Sequence, residues 1–178
     1  MVQLFIALIV ATACSSACSG SSSAQSGSDA GFTGAFTGTL PCIAGGSGSD
    51  AGTTNFKVVC TDTATGTEFL AFHVLPGSVL PAGSFNAAAN VTALAGLGVG
   101  VLRDGGPVWV MSAHAGYPDG GSRPDQGSFN LTIASTGPEL SDSTGSNTWN
   151  DSHGSYDAVL VPDPSTDAGG SVSVHMAF

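Results

Sequence analysis

The segment SVSVHMAF, residues 171–178, alternates polar and apolar side chains and indicates the fold of this chain most clearly. Successive side chains of a β-strand point to opposite faces, so the segment predicts a strand with one buried face. The apolar face contains Val172, Val174, Met176 and Phe178, and the opposite face contains Ser171, Ser173, His175 and Ala177. We expect this half-buried strand to close the sheet.

Segments of similar length recur along the chain beyond Gly31, and Gly, Pro, Asn and Asp residues separate them. This pattern is typical of all-β domains, and no segment has a convincing helical period. We therefore predict an antiparallel β-sandwich of about nine strands. The predicted strands are residues 34–42, 55–61, 67–75, 84–92, 97–103, 107–114, 128–134, 155–161 and 171–178.

Three further patterns refine this prediction. TEFLAFHVL, residues 67–75, is apolar on both faces, which is typical of a central strand covered on both sides. RDGGPVWVMSA, residues 103–113, predicts a hairpin, because its Asp-Gly-Gly sequence supplies the positive φ angles of a tight turn. The tetrapeptide GSFN occurs at residues 83–86 and again at 127–130, which suggests two strands used in equivalent ways.

The charge of the chain excludes one class of partner. Only 9% of the 178 residues are charged, and three basic residues face 13 acidic ones, which gives a formal net charge of −10. Nucleic-acid binding requires clustered Lys and Arg, but the basic residues are the scattered Lys57, Arg103 and Arg123. The same balance argues against docking on anionic lipid through a polybasic segment.

The N-terminal residues indicate export. MVQLFIALIV, residues 1–10, is an apolar run shorter than the ~20 residues that span a bilayer, and its length fits the core of a signal peptide. Ala-Thr-Ala, residues 11–13, forms a cleavage pattern directly before Cys14. Residues 11–14 resemble the lipobox of bacterial lipoproteins. The resemblance implies a signal peptide over residues 1–13 and a lipid on Cys14, with Cys18 as the alternative.

This resemblance implies a protein of the bacterial cell envelope, held by its lipid at the outer membrane or on the periplasmic side, with secretion as the alternative. Residues 14–31 are rich in Ser and Gly and have almost nothing to bury, so we predict a disordered tether there. The folded domain is predicted over residues 32–178. Export to an oxidising compartment predicts a disulfide between Cys42 and Cys60, both of which lie in this domain.

Enzymatic motifs are weak in this sequence. The four histidines have no metal-ligand spacing, no Gly-x-Ser-x-Gly motif occurs, and the two glutamates, Glu68 and Glu139, lie in unrelated contexts. His73 lies between Phe72 and Val74, which favours a core histidine hydrogen-bonded to backbone. We predict no catalytic residue, no metal site and no cofactor.

Ligand binding has more candidates. GGSGSDAGT, residues 45–53, matches one copy of a calcium-binding nonapeptide but has Gly at its large apolar position, so we interpret it as a loop. YPDGGSRPDQG, residues 117–127, offers Asp119 and Asp125 as weak calcium ligands. Three aromatic residues in or beside polar loops either fold back onto the core, which is the favoured interpretation, or are candidate surfaces for glycans. These residues are Tyr117, Trp149 and Tyr156.

The leading functional expectation is a non-enzymatic structural or interaction module with an unidentified protein or glycan partner. The alternative is a glycan- or calcium-binding module that uses the loops of Tyr117, Asp119, Asp125 and Trp149. An enzyme is the third choice.

Overall fold

The computed structural model describes residues 28–48, 52–77, 79–86, 91–100, 106–113, 126–141 and 148–178. In this part of the chain the regular elements are ten antiparallel strands. The all-β, antiparallel prediction is therefore confirmed. In chain order the strands are β1 Ser28–Gly34, β2 Gly38–Gly48, β3 Thr53–Asp62, β4 Thr67–Pro76, β5 Gly83–Asn86, β6 Thr92–Gly98, β7 Val108–Ala113, β8 Ser128–Ser141, β9 Thr148–Pro162 and β10 Val172–Ala177.

The strands form a closed barrel, so the predicted sandwich is wrong. Eight strands follow one another in the order β10-β1-β2-β3-β4-β6-β7-β9, and β9 pairs with β10 to complete the ring. A sandwich would consist of two sheets packed face to face, whereas here β10 is hydrogen-bonded to β1 on one edge and to β9 on the other. β8 pairs along β9, and β5 pairs with β8 at the end of the sheet.

The alternation that predicted β10 is present in the barrel. Val172, Val174 and Met176 are at most 3% exposed and face the core, whereas Ser173 and His175 face outward. Because β10 joins β1 to β9, the expectation that this strand closes the sheet is also confirmed.

Large side chains from several strands meet in the barrel core. The Phe32 and Phe69 rings pack edge to face with centroids 5.5 Å apart, and the Phe69 and Tyr156 centroids are 6.2 Å apart. The ring of Phe178, which follows β10, packs on Phe56 at 5.3 Å. Burial of this apolar surface is the main force that holds the strands in a ring.

β4 is covered more completely on one face than on the other. Phe69, Ala71 and Leu75 are fully buried, whereas on the outward face Leu70, Phe72 and Val74 are only half-buried and Glu68 is buried. The outward ring of Phe72 lies 5.8 Å from the Lys57 ammonium. A barrel strand has only one face toward the core, which is why the prediction of a doubly covered strand holds for the inner face alone.

The predicted disulfide is confirmed. Cys42 in β2 and Cys60 in β3 are directly paired across the two strands, with Cα atoms 4.1 Å apart, and they are bonded to each other. Both residues are buried in the core. The bond therefore joins two neighbouring strands of the barrel wall.

Several element boundaries differ from the prediction. β1 begins at Ser28, four residues before the predicted domain start, because Ala30 and Phe32 enter the core. The predicted strand 84–92 is divided, since β5 ends at Asn86 and β6 begins at Thr92. Of the predicted strand 97–103, Leu97 and Gly98 form the end of β6, which already pairs with β4 from Thr92 onward, and residues 101–103 lie outside the described residues.

Two of the predicted turns lie between paired strands. β6 and β7 pair antiparallel up to Gly98 and Val108, so β7 does follow a paired strand, but most of the predicted tight turn, including Asp104 and Gly105, lies outside the described residues. The Val99 N–H donates to the Pro107 carbonyl at 3.1 Å, which extends this pairing by one residue. Part of the calcium-like segment, residues 45–53, also belongs to strands, since β2 runs to Gly48 and β3 starts at Thr53.

Candidate functional site

The outer wall of four neighbouring strands forms a shallow groove with a volume of about 420 Å³. The strands are β1, β10, β9 and β8, which lie side by side in that order. We call this feature the wall groove. Its outward-facing residues are Gly31, Thr33, Ser128, Asn130, Asp157, Val159, Ser173 and His175.

The register of the strands arranges these residues in two rows. In the central row Gly31 pairs with His175, His175 with Asp157, and Asp157 with Asn130. The adjacent row consists of Thr33, Ser173, Val159 and Ser128 in the same strand order. Directly paired residues of antiparallel strands have Cβ atoms about 4.5–5.5 Å apart, so neighbours within each row can contact one ligand together.

A hydrogen bond at the centre of the groove joins His175 to Asp157. The Nδ1 atom of His175 lies 2.5 Å from Oδ1 of Asp157, and the two side chains are 73% and 48% exposed. When Nδ1 donates to the carboxylate, the neutral imidazole offers Nε2 as an acceptor, and the charged imidazole offers it as a donor. The pair therefore presents an oriented polar group to solvent.

A glycine positions one side of the groove. Gly127, directly before β8, has φ +71°, and a Cβ atom there would lie 2.2 Å from the Val159 carbonyl oxygen. This close approach allows β8 to pair with β9 from Ser128 onward. Only glycine combines this φ with so little space, so the local sequence Gly-Ser-Phe-Asn starts the strand that carries Asn130.

The repeated GSFN tetrapeptide marks neighbouring parts of this wall. Its first copy is β5, which pairs antiparallel with residues 130–133 of β8, and its second copy begins at Gly127, so the two copies meet only where Asn86 lies opposite Asn130. Beside them, the hydroxyls of Ser84 and Thr132 lie 3.2 Å apart. The central row therefore extends over a fifth strand, and the repeat was a sequence signal for this surface.

A second polar group lies inside the barrel. His73 is fully buried, and its ring centroid is 4.9 Å from that of Phe129 and 5.2 Å from that of Tyr156. Within the described structure, neither ring nitrogen of His73 nor the Tyr156 hydroxyl has a hydrogen-bond partner. Burial lowers the pKa of His73 to about 3 and raises the pKa of Tyr156.

The positions of His73 and Tyr156 can be compared with the predictions made from the sequence. The core position of His73 is confirmed, but its predicted hydrogen bond to backbone is wrong, because the ring is surrounded by aromatic side chains. Tyr156 was expected either to fold back onto the core or to offer a surface for glycans, and it packs in the core. It occupies an inward position of β9, opposite Met176 and Leu131, and is fully buried.

The remaining candidate residues are not brought together in the described structure. Tyr117, Asp119 and Asp125 lie outside the described residues, as do Cys14 and Cys18. Trp149 belongs to β9, where it pairs with Leu140 of β8. No group of three or more His, Cys, Asp or Glu side chains that could hold a metal ion occurs among the residues that the structure describes.

Comparison with models of protein families, with curated proteins and with solved structures found no significant match to this chain. Over the described ranges, the structure contains no helix with the length and apolar character needed to cross a membrane.

Proposed function

We propose that this chain is an exported protein of the bacterial cell envelope, anchored through a lipid on Cys14, and that its barrel is a non-enzymatic interaction module. The disulfide between Cys42 and Cys60 supports export, because such bonds persist mainly in oxidising compartments. The lipobox-like residues 11–14 support the anchor at Cys14.

The wall groove is the observation that carries the interaction role. The described part of the barrel interior is filled by side chains such as Phe56, Phe69 and Leu97, so among the residues that the structure describes a partner is received on the outer wall. The groove exposes donors and acceptors on short side chains, including Asn130 and Ser173. Short side chains lose little conformational entropy when a partner immobilises them, which favours binding.

Photo-cross-linking in cells of the source bacterium tests this role. A photoreactive amino acid at Ser173 reports on the groove, and the same residue at Leu94 of β6, which is 45% exposed, is the matched control outside it. We expect covalent adducts from position 173 and none from position 94. Equal labelling at both positions, or none at either, would contradict an interaction role for the groove.

Metabolic labelling with a palmitate analogue tests the anchor. The label should be lost in Cys14→Ser and retained in Cys18→Ser, because only the acylated cysteine carries the lipid. Loss in Cys18→Ser alone would move the anchor to Cys18. A parent protein without label would exclude the lipid anchor and leave secretion as the alternative.

A further inference from the structure

We propose that the wall groove binds a neutral polyhydroxyl ligand, namely a segment of an uncharged polysaccharide. This inference rests on the proposed interaction role and names the class of ligand. It assigns glycan recognition to the outer face of β1, β10, β9 and β8 and uses none of the loop residues Tyr117 and Asp119, which lie outside the described residues.

The charge of the protein disfavours anionic ligands. The chain carries a formal net charge of −10, and Asp157 contributes a carboxylate to the centre of the groove. An anionic polymer would be repelled by this field, and His175 is the only group in the groove that can become cationic. A neutral ligand avoids this repulsion.

The polar groups of the central row match sugar hydroxyls. A hydroxyl both donates and accepts hydrogen bonds, the Asp157 carboxylate accepts them, and the Asn130 amide does both. Asp157 and Asn130 are directly paired across β9 and β8, so they can contact neighbouring hydroxyls of one sugar ring. The His175–Asp157 hydrogen bond holds the imidazole in place before a ligand arrives, which reduces the entropy lost on binding.

The groove also provides the apolar contact that a sugar ring needs. Val159 is 37% exposed and lies between Ser173 and Ser128 in the second row, beside the polar row. The C–H face of a sugar can pack on this side chain while its hydroxyls bond to the central row. The volume of about 420 Å³ lies within the range of small-ligand sites.

The strand pairing argues against an extended peptide added to the sheet. Both edges of β10 are hydrogen-bonded, to β1 and to β9, and β9 is bonded to β10 and β8 along the groove. A peptide strand joins a sheet through unpaired backbone groups at an edge, and the groove lies on a face. Recognition in the groove therefore depends on side chains.

Calorimetric titration of the full-length protein with neutral hexasaccharides tests this inference. The probes are malto-, cello-, xylo- and galacto-hexaose, with an oligogalacturonate as the anionic control. We expect at least one neutral probe to bind with a dissociation constant below about 1 mM and the anionic control not to bind. Asp157→Asn should weaken binding by about tenfold or more, because it removes a charged acceptor and disturbs the contact with His175.

Asp167→Asn is the matched control, because Asp167 is exposed between β9 and β10 and does not line the groove. Its affinity should stay within about twofold of the parent value. The proposal is overturned if no neutral probe binds, if only the anionic probe binds, or if Asp157→Asn leaves affinity unchanged. If the sugars fail while position 173 still cross-links a protein partner, the ligand class is wrong and the interaction role stands. If both experiments fail, both proposals fall.

Discussion

His73 shows how one residue can lower the stability of a barrel core. Its ring is fully buried among Phe56, Phe129 and Tyr156, and neither ring nitrogen has a hydrogen-bond partner in the described structure. A buried polar group that has lost its bonds to water and gained none costs about 1–3 kcal/mol. The barrel therefore keeps a polar side chain where an apolar one of similar volume would fit.

Replacing this ring with an apolar side chain should stabilise the protein. We expect His73→Leu to raise the free energy of unfolding at pH 7 by about 1–3 kcal/mol, measured by urea denaturation, because leucine is close in volume and needs no partner. His153→Leu, at an exposed position of β9, is the control and should change stability by less than about 0.5 kcal/mol. A destabilised His73→Leu would show that the ring has a structural role that its contacts do not reveal.

Acid should weaken the parent protein through the same residue. The pKa of His73 is about 3 in the folded state and 6.5 as a free side chain, so between these values the unfolded chain binds a proton that the folded chain does not. The free energy of unfolding therefore falls as pH drops below 6.5, and His73 accounts for about 2 kcal/mol between pH 7 and pH 5.

A comparison of urea midpoints at pH 7 and pH 5 isolates this contribution, because His73→Leu should lose it. Burial raises the pKa of Glu68, so this carboxyl has the opposite effect and favours the folded state as pH falls through its folded pKa. Glu68 is present in both proteins and cancels in the comparison. Identical pH dependence in the parent and in His73→Leu would contradict the assignment to His73.

For single residues, the sequence predicted the environment of a side chain where neighbouring residues determine it and failed where residues distant in the chain determine it. Phe72 and Val74 around His73 were sufficient to predict its burial. For Tyr156 the sequence left a core position and a surface position open, and alternation along β9 turns its neighbours Ser155 and Asp157 outward and Tyr156 inward. The polar face that contains His175 was predicted, but its contact with Asp157 depends on the register of β10 and β9, which the sequence does not reveal.

At the scale of elements, close backbone approaches constrain the strands that build the groove. Gly127 and Gly52 have similar positive φ angles, +71° and +74°. A Cβ at Gly127 would collide with the Val159 carbonyl oxygen, whereas a Cβ at Gly52 would have no atom within 4 Å. Alanine at Gly52 therefore tests the cost of the backbone conformation alone, whereas alanine at Gly127 tests that cost together with the cost of the collision.

Alanine at these positions should give clearly different losses of stability. Gly52→Ala should cost about 1–2 kcal/mol, since alanine is strained at this φ. Gly127→Ala should cost at least about 2 kcal/mol more, because β8 must also move away from β9. Thermal and urea unfolding of the two variants measure the difference. Equal losses would indicate that β8 can shift from β9 at little cost.

Pairing partners also set the element boundaries that the sequence could not predict. Residues 84–92 have the composition of one strand, yet Asn86 pairs with Asn130 of β8 and Thr92 pairs with Val74 of β4. Two different neighbours therefore divide the segment. Composition indicates which residues favour a strand, but the neighbouring strand with which they pair determines where each strand ends.

At the scale of the whole molecule, the choice between a barrel and a sandwich was beyond the sequence pattern. Both architectures bury one face of each strand and expose the other, so both require the same alternation. They differ in whether the last strand finds a partner on its second edge. Here β10 pairs with β1, far away in the chain, as well as with β9, and these long-range pairings close the ring.

The disulfide should stabilise this closed ring mainly through the unfolded chain. Cys42 and Cys60 are separated by 18 residues, and a bridge of this span contributes about 3 kcal/mol in the chain-entropy description. We expect the double variant Cys42→Ala/Cys60→Ala to lose about this amount in urea denaturation. A reducing agent should destabilise the parent under conditions that open the buried bond and should leave the double variant unchanged. Because β2 and β3 are already paired from the bridge to Gly48 and Thr54, the variant should still fold as a barrel with the same far-ultraviolet circular dichroism. A variant without cooperative unfolding would instead mean that the β2–β3 pair cannot form without the covalent bond, so that closure of the ring depends on oxidation.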